Sequence, residues 1–73
     1  MRANLKEARQ KAGMTQQQMA DMLEISLRYY QNIESGSRTG DFGIWDALED
    51  ITGIHQRTLR EISKIRPVQG DSQ

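Results

Sequence analysis

Arg28, Gln31 and Asn32, with Leu27 and Ser35 beside them, are the residues of this 73-residue chain whose types and spacing can do chemistry. Residues three and four apart share one face of a helix. The chemistry is the reading of base edges. A guanidinium pairs with guanine O6 and N7, an amide with adenine, and an aliphatic side chain meets a thymine methyl. A structural helix usually carries Glu and Lys on its solvated face, and this face carries neither. The bland alternative is an ordinary polar surface, and composition alone does not choose.

Those residues need a helix, and the flanking sequence supplies two. Residues 16–23 and 27–35 read as short helices separated by Glu24-Ile25-Ser26. Thr15 and Gln18 form a capping-box pattern ahead of the first, and Ser26 is placed to cap the second. Gly36 stands where a chain leaves a helix in the left-handed conformation. Met19, Ala20 and Leu23 line one face of the first helix, and Tyr30 and Ile33 one face of the second. Helices joined by so short a turn must cross steeply, which describes a helix-turn-helix.

Around this unit the pattern predicts three more helices. Residues 3–12 place Leu5, Ala8 and Ala12 on an inner face, Gly13 ends that helix, and Met14 turns inward. Residues 36–40 read as a loop. Asp41 caps a fourth helix running to Thr52, with Phe42, Ile44, Trp45, Leu48 and Ile51 for packing and Gly53 as its stop. A fifth helix over 56–65 offers Leu59, Ile62 and Ile65, with Ile54 just ahead of it. Pro67 closes the pattern. The expectation is one all-α, compact five-helix domain over 1–66, with no strand and a disordered tail over 67–73.

Composition narrows the classes. No cysteine is present, so neither a disulfide framework nor a thiolate metal site is possible. No apolar run is long enough to span a membrane, and the first ten residues lack the apolar core of a signal peptide. A cytoplasmic setting is expected. Net charge is zero, but residues 1–40 carry six basic against four acidic groups and residues 41–73 four against six. The halves are therefore +2 and −2, and the positive half holds the helix-turn-helix, as phosphate binding requires. The binding so predicted is modest and strongly salt-dependent.

Thr15-Gln16, Met19-Ala20, Ile25-Ser26, Ile33-Glu34 and Gly36, in that order and spacing, give the chain its resemblance to a known family. Over residues 3–65 it resembles the phage-repressor-like helix-turn-helix family, the Cro-type or XRE-type domains with a lambda-repressor-like fold. The resemblance implies that Gln16 bonds a DNA phosphate and braces the recognition helix. It implies that Leu27, Arg28 and Asn32 meet base edges. Ser37, Arg38 and Thr39 match a second phosphate-contacting segment, and Ser26 and the Tyr29 hydroxyl are placed with the phosphate contacts. Arg9 and Glu34 match an ion pair tying the first helix to the third. The residues agree on this last point, since an unpaired carboxylate beside inward-facing Ile33 would be costly. Three departures stand out. Glu24 occupies a turn position that is often Gly, Tyr30 an inner position that is often small and aliphatic, and no proline precedes the fourth helix.

Each candidate has a plainer reading. Arg28 could contact a phosphate instead of a base, Asn32 could be a solvated amide, Leu27 could close the core edge, and Tyr29 could lie flat over its helix. Trp45 and Phe42 could stack single-stranded bases, but an amphipathic helix that must pack makes both core residues. His55 has no second ligand at metal spacing, which leaves capping or surface. Asp41, Asp46, Glu49 and Asp50 form a solvated acidic face without a nucleophile–base pair, so no enzyme is expected. The expected protein is a DNA-binding transcriptional regulator, a repressor on the resemblance alone, needing no cofactor, metal or small-molecule ligand. Its small size and the residues Ile54, Leu59, Ile62 and Ile65 suggest a homodimer on a palindromic operator. A protein-interaction module using the acidic fourth helix, or an antitoxin component, is the alternative.

Overall fold

The computed structural model describes residues 1–62. The elements are α1 (Ala3–Lys11), α2 (Gln16–Leu23), α3 (Leu27–Ser35), α4 (Phe42–Thr52) and α5 (Gln56–Arg60), with no strand among the described residues. The fold is all-helical and lambda-repressor-like. None of these helices is long and apolar enough to cross a membrane. The expected tail over 67–73 lies outside the described residues.

Local sequence sets the boundaries. Thr15 Oγ1 accepts from the Gln18 N–H at 3.1 Å, and Gln18 Oε1 accepts in return from the Thr15 N–H at 2.9 Å. The α2 capping box is therefore complete. Ser26 Oγ accepts from the Tyr29 N–H at 3.1 Å, and Asp41 Oδ1 from the Ile44 N–H at 3.0 Å. Gly36 and Gly53 end α3 and α4 at positive φ. The α2–α3 turn instead uses Glu24 at φ 58°. A left-handed L-residue costs roughly 1–2 kcal/mol. Glu24→Gly should therefore raise stability by about 0.5–1 kcal/mol, after allowing for the greater freedom glycine brings to the unfolded chain. Urea denaturation checks it, and a lower midpoint would mean that the turn is unstrained.

The helices wrap one core. Leu5, Met19, Ala20, Tyr30, Ile33, Leu48 and Leu59 are fully buried, with Trp45, Ala8 and Ile44 close behind. Met14, Leu23, Ile25, Tyr29, Ile51 and Ile54 pack against this cluster.

Three expectations fail, each for a local reason. Ala12 is exposed, because α1 ends at Lys11 and Ala12 is its C-cap. Phe42 is 77% exposed instead of in the core. A side chain in the first helical turn leans past the helix start, and the space over the core there belongs to the loop. A Cβ at Gly40 would sit 3.3 Å from Ile33 Cδ1 and 3.6 Å from both Ile44 Cδ1 and Trp45 Nε1. The fifth helix stops at Arg60, with Glu61 extended. Its final carbonyls are taken by the N-terminal segment. Arg2 Nε donates to the Arg60 carbonyl at 3.0 Å, and Asn4 Nδ2 to the Thr58 carbonyl at 3.3 Å and to Glu61 Oε1 at 3.0 Å. Ile62 consequently lies beyond the helix and is partly exposed, and Ile65 falls outside the described residues.

Candidate nucleic-acid interface

The two faces of α3 differ sharply. Tyr30, Ile33 and Glu34 point inward and are buried. On the other side Arg28, Gln31 and Ser35 are exposed, with Leu27 and Asn32 half-buried. Among the described residues Arg28 has no hydrogen-bond or ion-pair partner, so its guanidinium remains uncommitted. The Tyr29 ring packs on the core edge. The Ser26 hydroxyl already caps α3, which leaves its remaining hydrogen-bonding capacity for a ligand.

Glu34 is the centre that fixes α3 against α1 and α2. Arg9 grips its carboxylate with two bonds, Nε to Oε2 at 3.0 Å and Nη2 to Oε1 at 3.2 Å. The Tyr30 hydroxyl donates to Oε2 at 2.6 Å, and Gln16 Nε2 donates to Oε1 at 3.1 Å. Burial by itself would raise the Glu34 carboxyl, but the bonds from Arg9, Tyr30 and Gln16 outweigh it and hold its pKa below the ordinary value. Burial, and then the bond to Glu34, push the Tyr30 phenol upward. On Arg9 the Glu34 hydrogen bond outweighs burial and raises the guanidinium further. The phenol at an unusual inner position has thus found its partner inside the ion pair. Tyr30→Phe should cost about 1.5 kcal/mol, as for other hydrogen bonds to charged groups. A urea midpoint equal to wild type would show that the bond contributes nothing net.

Gln16 carries this network to the surface. Its Oε1 accepts from Gln31 Nε2 at 3.2 Å while its Nε2 holds Glu34. The start of α2 is thereby braced to the middle of α3. Free bonding capacity remains on its amide.

The loop after Gly36 begins beside α3. Ser35 and Ser37 hydroxyls lie 3.1 Å apart, and the Arg38 N–H donates to the Asn32 carbonyl at 3.1 Å. Ser37, Arg38 and Thr39 are all exposed. Arg2 is one of the six basic groups counted in residues 1–40, yet it is only 4% exposed. Burial, with the Arg60 charge second, lowers its pKa. No periodicity marks Arg2, because it precedes the first helix. The Arg9–Glu34 pair cancels within the count of the positive half, so the burial of Arg2 is what leaves that half less charge to offer DNA than the count implied. His55 Nδ1 accepts from the Arg57 N–H at 3.0 Å, so the lone histidine is a helix cap.

The fold and this α2–α3 geometry define a helix-turn-helix domain. The family model described as helix-turn-helix matches residues 5–55, from within α1 to the cap of α5. The chain belongs to this Cro/XRE-type helix-turn-helix family, a family of DNA-binding regulators. No match was found among curated proteins or among solved structures.

Proposed function

We infer that the domain binds double-stranded DNA sequence-specifically, lays α3 in the major groove, and represses transcription by occupying its operator as a pair of copies. The carrying observation is the two-faced α3: one side locked by the Glu34 network, the other presenting uncommitted Arg28 beside Leu27 and Asn32. Leu27, Arg28 and Asn32 are the base-reading residues. Gln16, Ser26, Tyr29, Ser37, Arg38 and Thr39 border them on α2, α3 and the loop, and are the phosphate contacts.

Pairing rests on size and on a surface smaller than the sequence suggested. Leu59 is consumed by the core and Ile54 packs against it, leaving Ile62 and the unexpectedly exposed Phe42. A symmetric pair sets the two α3 helices about 34 Å apart and implies a palindrome.

Selection of binding sites from a random duplex library at two salt concentrations tests this reading. A palindrome should be enriched. If Arg38 is the cationic phosphate contact of each copy, log K against log salt should have a slope of only about −2 for the pair, at roughly 0.9 per phosphate. No enrichment would overturn the reading and favour a protein partner on the α4 surface, where Asp46 and Asp50 are exposed.

A further inference from the structure

The loop that carries Arg38 is held at three backbone positions from inside the protein. The Arg38 N–H is tied to the Asn32 carbonyl in α3. The Arg38 carbonyl accepts from Arg2 Nη1 at 2.9 Å. The Thr39 carbonyl accepts from the Trp45 indole N–H at 2.7 Å. Arg2 and Trp45 are themselves joined, the guanidinium carbon lying 5.3 Å from the ring centroid. Arg2 Nη1 also donates to the Ile33 carbonyl in the last turn of α3, and Arg2 Nε to the Arg60 carbonyl. One side chain therefore reaches the recognition helix, the loop, α4 and α5.

The choice of residue is informative. Burying a guanidinium costs several kcal/mol of desolvation, usually offset by a carboxylate. Arg2 has no carboxylate partner among the described residues, and its side-chain bonds to the α3 end, the loop and α5 all go to backbone carbonyls. An arginine offers a rigid fork and a planar face together, which lysine does not. Both are in use here, the fork across Ile33 and Arg38 and the plane over Trp45.

We propose that Arg2, seated on Trp45, is a positioning residue that fixes the Arg38 loop against α3, so that loop and recognition helix meet DNA as one preorganised surface. The inference rests on the functional reading above for its effect on DNA, and on geometry alone for its effect on the loop. Binding loses less ordering entropy when a contacting loop is already fixed.

Two readouts on wild type, Arg2→Lys, Arg38→Ala and the double variant decide it, at a temperature where each is folded by circular dichroism. Arg2→Lys keeps the charge, so any change in salt slope on mixed-sequence duplex DNA comes from geometry. The expected result is a slope reduced by about 0.9 per copy in Arg38→Ala, a comparable reduction in Arg2→Lys, and no further reduction in the double variant. In the free protein, amide exchange at Arg38 should speed up in Arg2→Lys by on the order of tenfold, as local opening becomes easier. If Arg2→Lys lowers the melting temperature but leaves both slope and exchange unchanged, Arg2 is structural only and the proposal is wrong. An unchanged slope in Arg38→Ala would instead remove the loop from the DNA interface, while the exchange result would still decide whether the clamp holds. Should Arg2→Lys fail to fold, Trp45→Phe keeps a ring, removes the bond to Thr39, and takes its place in both measurements.

Discussion

Glu34→Ala should destabilise the domain by roughly 3–5 kcal/mol, the cost of breaking a buried ion pair by removing one partner. The side chains of Arg9 and Glu34 are only 9% and 4% exposed. Alanine would take the carboxylate from the Arg9 guanidinium, leave the Tyr30 hydroxyl without its acceptor in the core, and leave Gln16 with only its bond to Gln31 in α3. A chain of this length typically holds about 4–11 kcal/mol in total. The variant should therefore lose a large share of that stability, seen as a much lower midpoint in urea titration or calorimetry. A double replacement, Arg9→Met with Glu34→Met, should recover part of the loss, because exchanging a whole buried pair for apolar groups is often close to neutral. A wild-type melting temperature in Glu34→Ala would mean that the carboxylate is not buried in solution.

The same group sets an acid limb. Its folded pKa lies below the ordinary 4.5, so the stability it supplies is fully present above that value. It is lost as pH falls through the depressed folded pKa, where the unfolded chain binds the proton first. Among stability curves measured downward from pH 6, that of Glu34→Ala should therefore be flatter than wild type.

How much of this was legible depended on whether a signal was local. Caps are local: Thr15, Ser26 and Asp41 fixed three helices at their observed starts from side-chain chemistry alone, and Gly36 marked the end of one of them. Helical periodicity found Leu5, Met19, Ile33, Trp45 and Leu48 for the same reason. Phe42 misled it, since periodicity cannot know that Gly40, in the loop ahead of α4, lies against Ile33, Ile44 and Trp45. Arg2 was invisible because its partners, Ile33, Arg38, Trp45 and Arg60, are all at least 31 positions away. The short α5 follows from the same contacts. The Arg9–Glu34 pair was found through resemblance, but its extension through Tyr30 needed the three-dimensional arrangement. The residues proposed to face bases were legible as types on one helical face, because what a solvated face lacks, here Glu and Lys, is itself readable.

Arg28→Ala should weaken binding to the selected operator by about 1–3 kcal/mol per half-site and relax preference at one base pair. Arg28 is the second residue of α3, near the N-terminal end, which is the end that meets base edges when a helix-turn-helix recognition helix lies in the major groove. Its exposure and lack of partners mean that truncation should leave fold stability within about 0.5 kcal/mol of wild type, so a loss of affinity would be a loss of contact. The pattern of loss separates two roles for the same charge. A guanine reader loses affinity only on sites carrying that guanine, and Arg28→Lys would not restore it, because an ammonium lacks the planar fork. A phosphate contact loses affinity equally on every duplex, lowers the salt slope by about 0.9 per copy, and is largely restored by lysine. An unaltered affinity on every sequence would take Arg28 out of the interface. Specificity would then have to come from Leu27 and Asn32, the half-buried pair beside it.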